Sequence, residues 1–274
     1  ASAGRFHHAQ SQLKRFLNTL GGFVRSEGNY SYNAALVAMP HIVGDSFRTH
    51  VVEATRWSVI ADHSDLVVLF GGMAMRNTQI CDGGASRHRM ADGLARCVEN
   101  AVRFVNLSPL RSDVDASTQA EWLAPRPGTD TAVMLALCHT LLDEGLADRA
   151  FLARYTVGFE RVAAYLNGDD DGEAKTADWA AGISGIDAQR IRALAREMAR
   201  GRTMIGCAAG LQRADWGEQP LWAVVTLAAM LGQIGLPGGG YTIGYGVNAH
   251  IGNVTRPFRW GAFPQGVNPV EDFI

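Results

Sequence analysis

The sequence has little charge of either sign and lacks a basic excess. Charged residues make up 19% of the 274 residues against 47% hydrophobic residues, and the formal net charge is −2. A chain with this balance can bury a large core, which excludes an intrinsically disordered protein. Because no basic patch provides an electrostatic footprint, nucleic acid is not expected as a partner.

Paired cysteines and long apolar runs are also missing. The four cysteines, at positions 81, 97, 138 and 207, show no CxxC spacing, so we expect buried free thiols and neither a zinc site nor an iron–sulfur cluster. The apolar stretch 221–236 is shorter than the roughly 18–20 residues of a membrane helix, so no membrane span is expected. The chain begins without methionine or a signal peptide, which favours a piece of a longer protein, and nothing assigns it to a compartment.

Short apolar runs that end in Gly, Pro or Ser recur along the chain. Their composition is typical of strands buried on both faces of a parallel sheet. The predicted strands lie at 65–72, 102–109, 121–128 and 203–210.

Helical patterns lie between these runs, with apolar residues three and four positions apart. They cover residues 89–102, 130–145 and 187–200. Strand–helix–strand order predicts right-handed crossovers and an α/β fold with a parallel sheet. The polar stretch 167–179 is expected to be an exposed loop, and it lacks the spacing of an EF-hand calcium loop.

Three of the predicted strand ends carry residues suited to a nucleotide, and ligands of parallel sheets bind at such ends. Gly71 and Gly72 would allow a pyrophosphate to approach the backbone. Ser108 is suited to a ribose hydroxyl and Arg111 to a phosphate, while Asp130 could accept two hydrogen bonds from a guanine edge. Each signal is weak alone, but together they predict a nucleotide across the sheet edge. No GxGxxG motif opens a helix, which argues against an ordinary nicotinamide site.

The stretch EGNYSYNAAL places Ser31 between two tyrosines and before a possible helix. One interpretation is a helix cap, in which the hydroxyl accepts a hydrogen bond from an amide two or three residues later. The alternative is a hydroxyl that binds a metal, and the stretch alone leaves both open.

Seven motifs occur in order along the chain. They are SAGRFHHAQ, GGFVRSEGNYS, MPHIVG, APRPGTD, ADRAFLARYTVGFERVAAYL, GRTMIGCAAGLQRADWGEQP and LAAMLGQIGLPGGG. Together they resemble the interior of molybdopterin oxidoreductases of the dimethyl sulfoxide reductase family, in the branch whose metal ligand is serine. The resemblance runs from Ser2 to about Gly252.

The resemblance implies that Ser31, which follows GNY, is the protein ligand of molybdenum. The cofactor would be a bis-molybdopterin guanine dinucleotide that holds the metal through four dithiolene sulfurs. A highly charged cation lowers the pKa of a bound hydroxyl, and a hard oxygen donor suits oxidised molybdenum. Helix capping by Ser31 stays the alternative.

The resemblance also implies a guanine dinucleotide site across the strand ends. Ser108 stands where Asn or Asp is common in the family, and Gly128 where Gln is common. Ala209 replaces a tryptophan, which should widen the substrate funnel. The implied cofactor-binding residues are Gly71, Gly72, Ser108, Pro109, Arg111, Arg126, Gly128, Asp130, Gln212 and Arg213.

The activity implied by the resemblance is oxygen-atom transfer from an S-oxide or N-oxide, of the biotin sulfoxide, dimethyl sulfoxide or trimethylamine N-oxide type. The expected partners are this small-molecule substrate, an electron donor protein or reductant, and the rest of the same polypeptide. Two alternatives stay open: a serine-ligated molybdenum hydroxylase or dehydrogenase, and a nucleotide-binding module without catalysis.

The expected architecture is a Rossmann-like, parallel-sheet nucleotide-binding domain with flanking segments of a second α/β domain. Residues 1–50 would belong to the second domain and carry the metal ligand. Residues 51–210 would form the dinucleotide-binding domain, and residues 211–274 would return to the domain of the metal ligand.

Overall fold

Within residues 9–79, 88–254 and 263–271, which the computed structural model describes, five parallel strands form one sheet. Its order is β3-β2-β1-β4-β5. Because the winding direction reverses between β1 and β4, the sheet is doubly wound, as in Rossmann-like folds. The predicted α/β class with a parallel sheet is confirmed. The strands are β1 (Leu66–Phe70), β2 (Arg103–Leu107), β3 (Glu121–Leu123), β4 (Thr203–Cys207) and β5 (Gly240–Ile243).

Helices cover both faces of this sheet, and short 3-10 turns follow several strands. The 3-10 turns are Met75–Asn77, Arg111–Asp113, Ala116–Thr118 and Ala209–Gln212. The helices are α1 (Ala9–Thr19), α2 (Asn33–Val43), α3 (Phe47–Val52), α4 (Trp57–His63), α5 (Met90–Glu99), α6 (Asp130–Asp143), α7 (Arg149–Tyr155), α8 (Phe159–Asn167), α9 (Ala177–Ser184), α10 (Ala188–Arg200) and α11 (Gln219–Met230).

The side chains of successive residues in β1 pack alternately into two hydrophobic cores, one on each face of the sheet. Val68 and Phe70 pack in the larger core with α2, α6, α9, α10 and α11. Val67 and Leu69 pack in the smaller core with α4 and α5. All five residues of β1 are buried, because side chains alternate between the faces of a strand and helices cover both faces here. This burial explains why β1 reads as a continuous apolar run.

Two strands differ from the prediction. The third predicted strand covered residues 121–128, but β3 ends at Leu123, and Pro125 and Pro127 lack the N–H that a longer ladder needs. β5 was not predicted, because Gly238, Gly239 and Gly240 make its beginning look like a turn. Since β5 pairs with β4, the sheet extends beyond residue 210. The assignment of the three segments to domains of a larger protein stays a prediction.

The stretch 167–179 is only in part the exposed loop that was expected. Its last three residues begin α9, where the hydroxyl of Thr176 accepts from the amide of Trp179 at 3.1 Å. Lys175 is buried, and its Nζ lies 2.8 and 2.6 Å from the two carboxylate oxygens of Asp171 and 4.3 Å from the Tyr165 ring centroid. The carboxylate of Asp171 is therefore already paired with the buried ammonium group of Lys175.

Three of the cysteines are buried free thiols, as expected: Cys97, Cys138 and Cys207. Cys81 lies outside the described residues. Burial raises the pKa of the Cys97 thiol to about 12. In the part of the chain that the structure describes, no helix has both the length and the apolar character that crossing a membrane requires.

Candidate cofactor site

The loop after β1 carries two glycines in the left-handed region, Gly71 at φ +80° and Gly72 at φ +71°. A Cβ on Gly71 would lie 2.3 Å from Cδ1 of Leu211, and one on Gly72 would lie 2.5 Å from Cβ of Asp113. Any larger residue would therefore be strained and would clash. The two glycines allow the loop after β1 to contact the loops after β4 and β2. The approach of a pyrophosphate to Gly71 and Gly72 stays a prediction.

Ser108, at the end of β2, is buried. Its hydroxyl donates to Oδ2 of Asp113 at 2.8 Å, and the amide of Leu110 donates to it at 3.3 Å. The other carboxylate oxygen of Asp113 lies 3.3 Å from Arg76. Ser108 thus orders its own loop, and its contact with a ribose stays a prediction. Pro109 and Arg111 lie exposed on the same loop.

Arg126, in the loop after β3, contacts the end of α9. Its Nη1 donates to the carbonyl oxygens of Gly182 at 2.8 Å and Ile183 at 2.9 Å. These carbonyls belong to the last turn of α9, where a cation is favourable. Gly128, two residues on at φ +80°, has open space where a Cβ would stand. The roles of Arg126 and Gly128 in cofactor binding stay predictions.

Asp130 begins α6 and is only 9% exposed. Its Oδ1 is buried and has no hydrogen-bond partner among the described residues. Burial raises the pKa of Asp130 to about 6, which still leaves the carboxylate mostly ionised at pH 7. Its charge also raises the pKa of Cys207, after the larger effect of burial, so the carboxylate lies near the carboxyl end of β4. An unpaired buried carboxylate oxygen is costly unless a ligand satisfies it.

Gln212, after β4, connects the sheet edge to α2. Its Oε1 accepts from the amide of Ala35, in the first turn of α2, at 2.9 Å. Its Nε2 is buried without a partner in the described regions. Arg213 is the next residue and is exposed. The carboxyl edge of the sheet therefore holds an unused acceptor on Asp130 and an unused donor on Gln212.

Ser31 is exposed just before α2. The helix begins at Asn33, and its N-cap residue is Tyr32, with no side-chain hydrogen bond that caps the helix. The Oδ1 of Asn29 accepts from the amides of Ser31 at 3.0 Å and Tyr32 at 2.8 Å, in the turn just before the helix. The interpretation of Ser31 as the helix cap is therefore wrong. Gln212 connects the first turn of α2, which begins two residues after Ser31, to the loop that follows β4. Its role as a metal ligand stays a prediction.

Two residues that organise this edge were missed in the sequence. Asn29 fixes the backbone that presents Ser31, and the Gly-Asn pair before a polar position is a typical signal for such a turn. Asp113 holds Ser108 and faces Gly72. It had no local signal, because both contacts come from the packing of separate loops.

No group of three or more His, Cys, Asp or Glu side chains within 9–79, 88–254 and 263–271 is arranged to hold a metal ion. A family model described as molybdopterin oxidoreductase matches residues 1–265. The chain belongs to the molybdopterin oxidoreductase family.

The curated proteins that are similar to this chain are named as reductases of S-oxides and N-oxides. Biotin sulfoxide reductase of Cereibacter sphaeroides is 45% identical, with all of this chain and 37% of that protein covered. Dimethyl sulfoxide/trimethylamine N-oxide reductase of the same species is 42% identical, with 97% and 32% covered. Trimethylamine-N-oxide reductase 1 of Escherichia coli K12 is 37% identical, with 99% and 33% covered. The chain spans about a third of the length of these relatives.

The fold is also found in a solved structure of another enzyme. Acetylene hydratase from Pelobacter acetylenicus aligns with a TM-score of 0.50 and 20% identity, over 81% of this chain and 27% of that one. This likeness concerns the fold alone. Family membership implies a cofactor of molybdenum and molybdopterin, and the unpartnered polar atoms of Asp130 and Gln212 fit a polar ligand at the carboxyl edge.

Proposed function

We propose that this chain is part of an enzyme that reduces S-oxides or N-oxides by oxygen-atom transfer, using a bis-molybdopterin guanine dinucleotide cofactor. The support comes from relatives named as biotin sulfoxide, dimethyl sulfoxide and trimethylamine N-oxide reductases, which are 37–45% identical over nearly the whole chain. The proposed partners are an electron donor protein or a small reductant, together with the rest of the same polypeptide.

The observation that carries the guanine dinucleotide form of the cofactor is the unpartnered carboxylate of Asp130. A guanine edge presents two neighbouring N–H donors, and an ionised carboxylate accepts both in a bidentate pair. Asp130 has a free buried oxygen, lies at the carboxyl edge and begins a helix. This edge is where nucleotides bind doubly wound sheets. The unused donor of Gln212 would bind a polar group of the same cofactor.

Ser31 would supply the oxygen ligand of the metal. When bound, molybdenum supplies the two-electron chemistry of oxygen-atom transfer, and the chain supplies binding and orientation. The exposed hydroxyl of Ser31 is free for this role because the Asn29 side chain already binds the local amides. Gln212 keeps α2, and with it Ser31, at the sheet edge.

A comparison of two serines tests the proposal in the full-length protein. Ser46 is a helix cap, since its Oγ accepts from the amide of Thr49 at 3.2 Å. We expect Ser46→Ala to lower the free energy of unfolding by about 1 kcal/mol and to leave the molybdenum electron paramagnetic resonance spectrum unchanged. Ser31→Ala and Ser31→Cys should change that spectrum and reduce oxide turnover by orders of magnitude, with the thermal midpoint nearly unchanged.

The readouts separate the parts of the proposal. A normal spectrum and turnover in Ser31→Cys would show that Ser31 is not a metal ligand. Molybdenum with a cofactor that yields no guanine nucleotide on hydrolysis would contradict the dinucleotide form. Loaded enzyme that oxidises substrates but fails to reduce biotin sulfoxide, dimethyl sulfoxide and trimethylamine N-oxide with a reduced dye would contradict the direction of the reaction.

A further inference from the structure

A cavity of about 220 Å³ lies on the face of the sheet covered by α4 and α5. The first turns of both helices line it, together with residues 252–254, which follow β5. Because α5 leads from the carboxyl end of β1 to β2, the first turn of α5 lies at the carboxyl edge. None of the predicted cofactor-binding residues lines this cavity, so it is a separate place in the fold.

The wall of the cavity is built around a buried indole. Trp57 is 1% exposed, and its ring centroid lies 4.8 Å from that of Tyr245. A Cβ on Gly93 would lie 2.8 Å from Cβ of Trp57, and one on Gly252 would lie 2.8 Å from its Nε1. The indole N–H thus faces Gly252 in the cavity wall, and it has no hydrogen-bond partner in the described part of the protein. A buried donor left without an acceptor is uncommon.

The charges around the cavity are mainly positive. Among the described residues, Arg56, Arg89 and Arg96 line it together with one carboxylate, Asp92. Arg96 is already paired, since its Nη2 lies 2.7 and 2.8 Å from the two carboxylate oxygens of Asp62. Arg56 and Arg89 have no carboxylate partner among the described residues, and Arg89 only donates to the carbonyl oxygen of Val254 at 3.4 Å. Within the described residues, the guanidinium groups of Arg56 and Arg89 therefore remain available to a ligand.

The first turn of α5 adds to this positive potential. No side chain caps the N-terminus of this ten-residue helix within the described ranges, and its N-cap residue is Arg89 itself. The first amides of a helix carry a partial positive charge and favour an anion. Asp92 lies in the same first turn and offsets part of this positive charge, while Arg89 at the N-cap position adds to it.

We propose that this cavity binds a small oxyanion, either a carboxylate or a phosphate group carried by a larger molecule. The fork of donors on each guanidinium matches the oxygens of both groups. Arg56, at the N-cap of α4, and Arg89, at the N-cap of α5, would both bind the anion. The negative charge of Asp92 would disfavour anions of high charge. The proposal does not depend on the proposed function, because it uses neither Ser31 nor the loops assigned to the cofactor.

Calorimetric titration of the full-length protein tests this site with two probes, inorganic phosphate and acetate, each against chloride at equal ionic strength. We expect saturable binding of one oxyanion and no heat of binding for chloride. Arg56→Gln and Arg89→Gln should each weaken that binding about tenfold or more. Arg200→Gln is the matched control, because Arg200 is exposed at the end of α10, near the amino edge.

Each outcome decides the matter. Saturation by phosphate alone assigns a phosphate group, and saturation by acetate alone assigns a carboxylate. Heats that follow ionic strength only, or binding that weakens equally in Arg200→Gln, would show a diffuse surface effect and would overturn the proposal. Retained binding in the Arg56→Gln/Arg89→Gln double variant would overturn it as well. Molybdenum content and spectrum, measured on the same preparations, report on the proposed function independently.

Discussion

Asp130 combines a cost to stability with a proposed role in cofactor binding. Its Oδ1 is buried without a partner among the described residues, and burial raises the pKa of the carboxyl to about 6. Above this pH the folded protein must hold an ionised carboxylate that water would solvate better. A residue that only served stability would be neutral here, so the cost is consistent with a ligand that supplies the missing donors.

We therefore expect Asp130→Asn to change stability and binding in opposite directions. In cofactor-free full-length protein at pH 7, the substitution should raise the free energy of unfolding by about 1–3 kcal/mol, since a pKa shift of two units corresponds to roughly that range. In the same variant, the guanine nucleotide content of purified enzyme should fall. Chemical denaturation and nucleotide release on hydrolysis measure the two effects. A variant that is less stable and keeps its cofactor would place the guanine site elsewhere.

At the residue scale, the sequence predicted which kinds of side chain lie at the candidate site better than it predicted the contacts that these side chains make. Asp130 was singled out as a carboxylate that follows a predicted strand, but its burial was not predicted. Gly71 and Gly72 were also singled out, but as an approach for pyrophosphate. Their contacts with Leu211 and Asp113 join loops more than 40 residues apart in sequence, and no local pattern contains that information. Ser31 was ambiguous for a related reason, because the amides next to it bind the side chain of Asn29.

At the scale of elements, two glutamines connect the sheet to its surroundings at opposite edges. At the carboxyl edge, Gln212 accepts from the buried amide of Ala35 in α2. At the amino edge, Gln233 accepts from the amide of Thr203 at 2.7 Å and donates to the carbonyl of Gly201 at 2.8 Å. Gln233 uses both of its polar groups within the chain, whereas the Nε2 of Gln212 has no partner in the described regions.

Because of this difference, we expect the two alanine variants to rank in opposite order for the loss of stability and for the loss of molybdenum. Gln233→Ala loses two hydrogen bonds and should lower the free energy of unfolding by about 2–4 kcal/mol, while Gln212→Ala loses one and should lower it by about 1–2 kcal/mol. Only Gln212→Ala should reduce molybdenum retention, because it releases α2 and an unused donor at the cofactor edge. Urea denaturation and metal analysis of both full-length variants give the ranking. Equal metal loss in both would reduce the role of Gln212 to general stability.

The predicted elements followed from local sequence patterns: apolar runs for the strands, and apolar residues at helical spacing for the helices. β1, β2, β4, α5, α6 and α10 lie within their predicted ranges or one residue from them. β3 was overestimated, because apolar composition continued past the residues that can form ladder hydrogen bonds. β5 and α9 were missed, since residues 238–240 and the acidic stretch 169–173 gave strong turn signals. No prediction was made for the helices α1, α3, α4, α7, α8 and α11.

At the scale of the whole molecule, two titratable groups, His50 and Asp130, make contributions of opposite sign to the pH dependence of stability. His50 in α3 stacks on Tyr241 of β5 with ring centroids 4.9 Å apart, and its Nε2 is buried without a described partner. Burial lowers the pKa of His50 from its ordinary value of 6.5, an effect that the charge of Asp45 opposes in part. The neutral imidazole is therefore favoured in the folded state. Stability from His50 is fully present above pH 6.5 and is lost as the pH falls below that value.

Asp130 acts in the other direction over an adjacent range. Because its pKa is raised from 3.8 to about 6, the folded state binds its proton first, and stability increases as the pH falls from about 6 towards 4. We expect His50→Phe, which keeps a ring against Tyr241 and cannot titrate, to reduce the loss of stability on acidification. Asp130→Asn should make that loss steeper, because it removes the opposing contribution. Thermal midpoints of cofactor-free protein between pH 4 and 8 measure both slopes, and changes of the same sign in the two variants would contradict this account of the buried charges.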